Sequence, residues 1–380
     1  MKLNQSHHLK EVAAVFFKLG CFAFGGPAAH IAMMEDEIVT KRQWMTRDYF
    51  LDLIGTTNLI PGPNSTEMTM HCGYERAGKM GLFVAGLSFI IPATIITAIL
   101  AYLYISYGKL PGVEPFIFGI KPAVLAIIAS AVIKLGKKAV KSTELAVLGI
   151  LVLVASVLGV NEIVALLTAG ILGMFYFSIK DKTPKNINSL SPLFLFSALG
   201  TSVLKISSLN VFWVFLKVGA ILYGSGYVLF AYLDAELVTR GWLTRTELID
   251  AIAVGQFTPG PILSTSTFIG YQLSGFYGAL AATAGIFLPS FLFVLILNPF
   301  IPKMQSSKIL RHFLNAVNVA AVAIMLAVLI LMCKDILIDW PAIIITIIAG
   351  ILTFKIKISP IWIIVIGAIL GYLFVTLFPN

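Results

Sequence analysis

Phe24-Gly25-Gly26-Pro27, then Trp44-Met45-Thr46-Arg47, then Pro61-Gly62-Pro63: this stretch occurs twice in the chain. The second copy reads Tyr223-Gly224-Ser225-Gly226, Trp242-Leu243-Thr244-Arg245 and Pro259-Gly260-Pro261. Each copy follows a matched lysine, in Phe17-Lys18-Leu19-Gly20 and in Leu216-Lys217-Val218-Gly219. In both, 17 residues separate the tryptophan from the first proline. Self-similarity at a fixed spacing is the mark of internal duplication. Working outward, Asp52 matches Asp250, Asn58 matches Gln256, and Gly73-Tyr74 matches Gly270-Tyr271. Gly78 matches Gly275, Gly81 matches Gly278 and Pro92 matches Pro289. The offset stays between 197 and 199 residues, so the whole chain reads as two copies of one ancestor. The expected units are 1–180, a connector over 181–208, and 209–380.

Composition names the solvent. The chain of 380 residues is 58% hydrophobic and 12% charged, where a soluble protein carries about a quarter charged residues. Its mean hydropathy is +0.94. Apolar runs of about 20 residues recur throughout, each long enough to cross about 30 Å of hydrocarbon. They lack the alternation of barrel strands, so an all-α polytopic membrane protein is expected. The runs fall at 12–34, 48–71, 81–103, 117–134, 144–160 and 162–179. A shorter run covers 192–208, and six more follow at 210–233, 247–270, 277–299, 312–332, 340–354 and 359–378. About 13 crossings result if every run spans. No cleavable leader is expected, because the first apolar run continues through Gly-Gly-Pro into an acidic stretch. Cys21, Cys72 and Cys333 show no paired spacing, which predicts neither a disulfide framework nor a metal site. The net charge of +9 sits in short loops between the runs, so nucleic acid is not an expected partner.

Those basic residues set the orientation. Placing the N-terminus in the cytoplasm puts most of the 27 lysines and arginines in inside loops. The bias then reverses between matched loops. Residues 134–141 hold four lysines, while 333–340 hold one lysine and two aspartates. Residues 159–162 hold no basic residue, while 354–358 hold two lysines. The two copies are therefore expected in opposite orientations, with the 192–208 run supplying the inversion. Inverted repeats with broken helices at their interface are a frequent plan for secondary transporters.

Gly25-Gly26-Pro27 and Pro61-Gly62-Pro63 interrupt apolar runs, and so do Gly224-Ser225-Gly226 and Pro259-Gly260-Pro261. Proline removes a backbone donor and clashes with the preceding turn, so each motif breaks or kinks its helix. Such a break leaves free N–H groups and a partial positive charge, which suit an anion. Pro63 is placed to open a helix, with Asn64, Ser65 and Thr66 adding donors, and Pro261 is followed by Ser264 and Thr265. A plain structural kink is the alternative. Lys18 and Lys217 each lie seven residues before their glycine-rich break, a spacing that shares a helix face. Each is a candidate cation for an anion, or else snorkels to the headgroups. Lys121 is a third cation inside a run and faces Asn318 in the other copy. Asp52 and Asp250 are candidates for ion coupling, with pairing to Arg47 and Arg245 as the alternative. Glu67 has no acidic counterpart and is the candidate for an asymmetric proton or cation role. His30 is expected as a packed histidine. Thr244-Arg245-Thr246-Glu247 predicts a capping box.

At these residues the chain resembles the chromate ion transporter superfamily, in its long two-domain form. The resemblance rests on Phe-x-Lys-x-Gly, on Phe-Gly-Gly-Pro followed by His30-Ile31, and on Pro-Gly-Pro. It covers nearly the whole chain, and the first half is the closer match. In that family the first-half motif is associated with chromate handling, which implies such a role for Lys18, Gly20, Phe24, Gly25, Gly26, Pro27 and His30. The second half departs, with Tyr223-Gly224-Ser225-Gly226 in place of Phe-Gly-Gly-Pro. The resemblance implies chromate export that gives resistance.

The expectation is a secondary transporter, not an enzyme, exporting chromate or a sulfate-like oxyanion across the cell membrane. A dianion leaving an inside-negative cell is driven by about 2.3 kcal/mol per charge per 100 mV. An anion channel on the same fold, or a carrier of another small anion, is the alternative. The expected partners are the oxyanion, the lipid bilayer and a second copy in a homodimer, and no cofactor is expected.

Overall fold

The structure is a computed structural model that describes residues 2–24, 26–57, 59–110, 112–180, 206–223, 226–300, 304 and 306–378. Gly25, Asn58, Gly224, Ser225 and nearly all of the 192–208 run lie outside the described residues. Those described form helices and turns with no strand among them.

Among the described residues, seven α-helices lie in each half. The first half holds α1 (Lys2–Phe22), α2 (Pro27–Met34), α3 (Arg47–Thr57), α4 (Asn64–Tyr107), α5 (Glu114–Ala139), α6 (Thr143–Val157) and α7 (Glu162–Lys180). The second holds α8 (Ser208–Ile221), α9 (Leu229–Leu233), α10 (Arg245–Phe257), α11 (Thr265–Leu297), α12 (Lys308–Ile336), α13 (Trp340–Ile351) and α14 (Pro360–Leu377). Wide, π-type turns continue α2 through Glu35–Lys41 and α9 through Asp234–Val238. Local chemistry sets many of the starts. Pro27, Pro115, Pro341 and Pro360 occupy first turns, where a missing N–H costs nothing. Ser142 and Ser307 accept from Leu145 N and Leu310 N at 3.3 Å. The expected capping box is present: Thr244 Oγ1 accepts from Glu247 N, and the Glu247 carboxylate accepts from Thr244 N at 2.8 Å.

Among the described residues, six helical segments are long and apolar enough to cross a membrane: Asn64–Tyr107, Glu114–Ala139, Glu162–Lys180, Ile262–Leu297, Lys308–Ile336 and Pro360–Leu377. Three shorter apolar ones join them, Thr143–Val157, Ser208–Ile221 and Trp340–Ile356. Their outer faces are greasy. On α7, Val164, Ile171, Phe175 and Ile179 are all at least 47% exposed. Apolar stripes of this extent need lipid or a partner to cover them.

Several expected spans are not single rods. The 48–71 run is two pieces, α3 and the first part of α4, separated by the Pro-Gly-Pro loop. α4 is not one straight helix of 44 residues. Its backbone leaves helical geometry at Ala77 and Gly78, with Gly78 at φ 66°. A methyl group on Gly73 would strike Gly81 O and the Ala85 side chain. In a straight helix residues 73 and 85 would stand about 18 Å apart, so the chain doubles back at Gly78. α11 repeats the reversal at Ser274 and Gly275 (φ 61°), with Gly270 against Gly278 O. No side chain other than hydrogen fits these two crossings.

The halves are intertwined. α1 packs on α4 and α8 on α11 within their own halves. α5 instead packs on α13 and α14, and α12 on α6 and α7. Small residues allow this exchange: Gly119 meets Gly367 and Gly371, while Ala316 meets Gly173. α4 and α11 run against each other along the centre, where Phe83 stacks on Phe291 with ring centroids 5.6 Å apart.

Candidate functional site

The breaks converge at the crossing of α4 and α11. Gly62 N donates to Leu222 O at 2.6 Å, and Gly260 N donates to Ala23 O at 2.9 Å. Leu222 and Ala23 each stand just before the glycine-rich break of their own half. Each Pro-Gly-Pro loop therefore bonds the end of the other half's first helix. Each also rests on the other half's long helix, one residue past a matched proline. A methyl group on Gly62 would come within 2.6 Å of Ser290 Oγ on α11, and one on Gly260 within 2.8 Å of Ala93 Cβ on α4. Both glycines have positive φ, 145° and 80°, which L side chains rarely adopt. The glycine-rich breaks meet too, since a methyl on Gly26 (φ 85°) would stand 3.2 Å from Tyr227 Oη.

The helix ends at this crossing follow the sequence closely. Pro27 is the first residue of α2 behind Gly26. Pro63 caps α4 rather than opening it, and Asn64 is the first helical residue. Pro61, Gly62, Pro63 and Ser65 are buried. In the second half Pro259, Gly260 and Pro261 are buried, and Pro261 caps the short turn Ile262–Ser264. Hydroxyls cluster there. Thr258 Oγ1 donates to Gly255 O at 3.2 Å, Thr265 Oγ1 donates to Ile262 O at 2.8 Å, and buried Ser266 Oγ has no partner.

Gly20 and His30 serve packing. A methyl on Gly20 would sit 2.6 Å from Phe89 O, so this glycine lets α1 lie flush on α4. His30 is buried, meets Phe89 edge-on at 5.6 Å, and places Nε2 3.1 Å from Ala23 O. Phe24 is exposed.

Lys18 and Lys217 each have a carboxylate that the motif reading missed. Lys18 Nζ lies 3.0 Å from Glu37 Oε1, and Lys217 Nζ lies 2.6 Å from Glu236 Oε1. Both glutamates are buried, while the lysines are 60% and 40% exposed. Each pair ties the first helix to the π-type turn beyond the break. Lys41 and Arg240 add a second cation four residues along, at 3.2 and 2.7 Å. The signal was present, because Glu37 and Glu236 stand 199 residues apart, each 19 residues after its lysine.

The expected pairing of Asp52 with Arg47 and of Asp250 with Arg245 gives way to other partners. Arg47 pairs with Glu35 at 2.8 Å, and Arg245 bridges Asp234 and Asp335, both at 2.8 Å. The π-type turns carry Glu35 and Asp234 to the arginines, and the end of α12 adds Asp335. Asp52 is exposed. Asp250 is buried and accepts from Tyr104 Oη at 2.6 Å, with Lys121 Nζ 3.4 Å away. It lines a largely apolar cavity of about 220 Å³ with Tyr104, Ile117 and Ile364.

Glu67 is the outlier. It is fully buried beside Gly62, and neither carboxyl oxygen has a hydrogen-bond partner. Ser290 Oγ and Thr66 Oγ1 next to it are also unpartnered. Among the described residues no group of histidine, cysteine, aspartate or glutamate side chains is arranged to hold a metal ion.

The family model for chromate transporters matches this chain twice, over residues 10–174 and 209–372. A probable chromate transport protein of Synechococcus elongatus is 30% identical over 98% of both chains. A chromate transport protein of Cupriavidus metallidurans is 30% identical over 93% of this chain and 89% of its own. One from Pseudomonas aeruginosa is 29% identical over 83% and 78%. No solved structure matches the chain.

Proposed function

The chain belongs to the chromate transporter family and is a multi-pass protein of the cell membrane, and on that premise we propose that it exports chromate or a sulfate-like oxyanion as a secondary transporter. The observation that carries this reading is the reciprocal pair of bonds, Gly62 N to Leu222 O and Gly260 N to Ala23 O. Four helix breaks thereby face one crossing between two copies of one unit. The exchange of α5 and α12 partners, together with the reversed loop charges, supports copies in opposite orientations, with about 13 spans once 192–208 is included.

The anion site is assigned to this crossing. Helix ends at Gly26-Pro27 and at Pro61-Gly62-Pro63 with Asn64 and Ser65 would offer N–H groups and a partial positive charge. Gly226 and the Pro259-Gly260-Pro261 loop would do so from the second half, with Gly25, Gly224 and Ser225 completing the glycine-rich breaks. Lys18 and Lys217 would supply full charges when their pairs with Glu37 and Glu236 open. An arriving dianion competes with those carboxylates, so loading and unlatching would be one event. The two halves would then rock about the crossing, driven by about 2.3 kcal/mol per charge per 100 mV. Asp52 and Asp250 remain candidates for ion coupling; of the two, Asp250 is the one already held by a cation.

Uptake of chromate into everted membrane vesicles tests the reading. Potential-driven, saturable uptake that sulfate competes away, and that shows counterflow, supports a carrier working in the export direction. Large unitary currents would favour a channel instead. No flux through folded protein would reject chromate as the cargo.

A further inference from the structure

Glu67 occupies the place where an anion would approach the end of α4, and nothing there neutralises it. Its side chain folds back over Gly62, so that a methyl group at Gly62 would strike Glu67 Oε1. Both carboxyl oxygens are buried without a donor, and no lysine or arginine pairs with it among the described residues. Burying an ionised carboxylate without a partner costs far more than burying the acid. The second half has no such acid, since the matched positions hold Ser264, Thr265 and Ser266.

The surroundings suit a proton that comes and goes. From α11, Ser290 points its unpartnered Oγ at the same spot. Beyond the end of α8 lies half-buried Tyr223, and on α9 Tyr232 is fully buried with an unpartnered hydroxyl. On α4 itself, His71 is one turn further along, the spacing at which helical side chains are neighbours. His71 is 1% exposed, leaves Nε2 unpartnered, and hydrogen-bonds Asn298 beyond the end of α11. Asn298 is half-buried. The second half has Phe268 where the first has His71. Polar groups therefore run from the crossing toward the Asn298 end of α11, and the glutamate and the histidine among them come from the first half alone.

We infer that Glu67 is a proton-binding site whose occupancy sets the anion affinity of the crossing, with His71 and Asn298 as the route by which the proton reaches it. The inference rests on the proposed anion site. With its proton on, Glu67 is neutral and the end of α4 accepts an anion. With the proton off, it places a negative charge beside the same helix end and repels one. Proton and anion then favour each other's binding, and each raises the other's affinity by the same factor.

The test uses purified full-length protein in detergent with chromate and sulfate as probes. Calorimetry gives anion affinity from pH 5 to 9, and a dye in weak buffer gives proton uptake. At a pH where free Glu67 is ionised, wild type should take up close to one proton per anion, and its affinity should fall by about tenfold or more as pH rises through the Glu67 transition. Glu67→Gln should bind with the low-pH affinity throughout and take up no proton. Glu67→Thr, which copies the second half, gives the same readout if the glutamine variant does not fold. His71→Leu should leave the stoichiometry unchanged and slow the uptake at least severalfold. Wild-type binding without proton uptake would overturn the inference. So would a glutamine or threonine variant that keeps the wild-type pH dependence, while unslowed uptake in His71→Leu would remove the route. Failure of wild type to bind either anion would instead strike the proposed function itself.

Discussion

The loop at Pro61-Gly62-Pro63 and the loop at Pro259-Gly260-Pro261 make the same bond, each to the carbonyl one residue past the opposite first helix. Their backbones share positive φ at the glycine and burial on both sides. Their side chains do not match. The first loop is covered by Glu67 and Ser290, with His71 one turn away; the second rests on Ala93, and its half has Ser264, Thr265 and Ser266 where the first has Glu67. What the halves keep in common is the frame that holds two broken helices against each other. What they do not share is titratable chemistry. Duplication supplied the geometry twice, and only the first copy carries an acid at the crossing.

The shared frame should give the largest effects. Gly62→Ala and Gly260→Ala each force a Cβ onto a backbone with positive φ and into contact with the opposite long helix. Backbone strain contributes about 1–3 kcal/mol and overpacking a similar amount. Both variants should lose most of their folded yield in detergent-solubilised size-exclusion profiles, to a similar degree. A tolerated Gly260→Ala beside a lost Gly62→Ala would mean that only the first loop is held tightly.

Next come the arginines that open α3 and α10. Arg245 is 22% exposed and holds buried Asp234 as well as Asp335, whereas Arg47 is 73% exposed and holds Glu35 alone. Removing one partner of a buried pair costs about 3 kcal/mol, and an exposed pair contributes about 0–1. Thermal unfolding should therefore show a large drop for Arg245→Ala and almost none for Arg47→Ala. Equal drops would show that Arg47 and Glu35 are shielded by lipid or by a second copy.

How much of this could be read beforehand follows from what one strand of text contains. The duplication was plain because glycines, prolines and tryptophans recur at one offset, and those residues fix backbone shape. The reversals at Gly78 and Gly275 lay between predicted runs, where basic Arg76 and Lys79 marked a loop. The reciprocal bonds at Gly62 and Gly260 were not legible, since no local pattern tells a donor which distant carbonyl it meets. Asp250 is the same lesson, because its partners Lys121 and Tyr104 come from the other half. Glu37 and Glu236 could have been found, as they repeat like the motif residues. A charged stretch after a break reads as an ordinary loop, while the fold winds it into a turn that buries both glutamates.

The lysines separate the halves by a smaller margin. Lys217→Ala leaves Glu236, 2% exposed, with Arg240 alone, and about 1–2 kcal/mol of stability should go. Lys18→Ala leaves Glu37 near Lys41 and Arg42, and the cost should stay under about 1 kcal/mol. Both should cut chromate flux in everted vesicles by more than these stability losses explain. If flux survives in both, the lysines are latches only, and the anion is held by helix ends and hydroxyls.

The smallest effect belongs to the matched aspartates. Asp250 is buried and takes a 2.6 Å hydrogen bond from Tyr104, while Asp52 is exposed. Tyr104→Phe removes that donor but leaves Lys121 3.4 Å from the carboxylate, so the charge is not stranded. A hydrogen bond to a charged group that keeps a second partner contributes about 1 kcal/mol, and Tyr104→Phe should lower thermal stability by about that much. Asp52→Asn should change it by less than about 0.5 kcal/mol, the range of exposed substitutions. Because Tyr104 and Lys121 sit on first-half helices and Asp250 on a second-half one, the Tyr104→Phe loss measures a bond between halves. A loss well above 1 kcal/mol would mean that Lys121 cannot hold Asp250 alone, and the pair would then belong with the latches at Glu37 and Glu236. No loss at all would mean that α4 and α10 are held together by packing, with the aspartate a passenger in an apolar cavity wall.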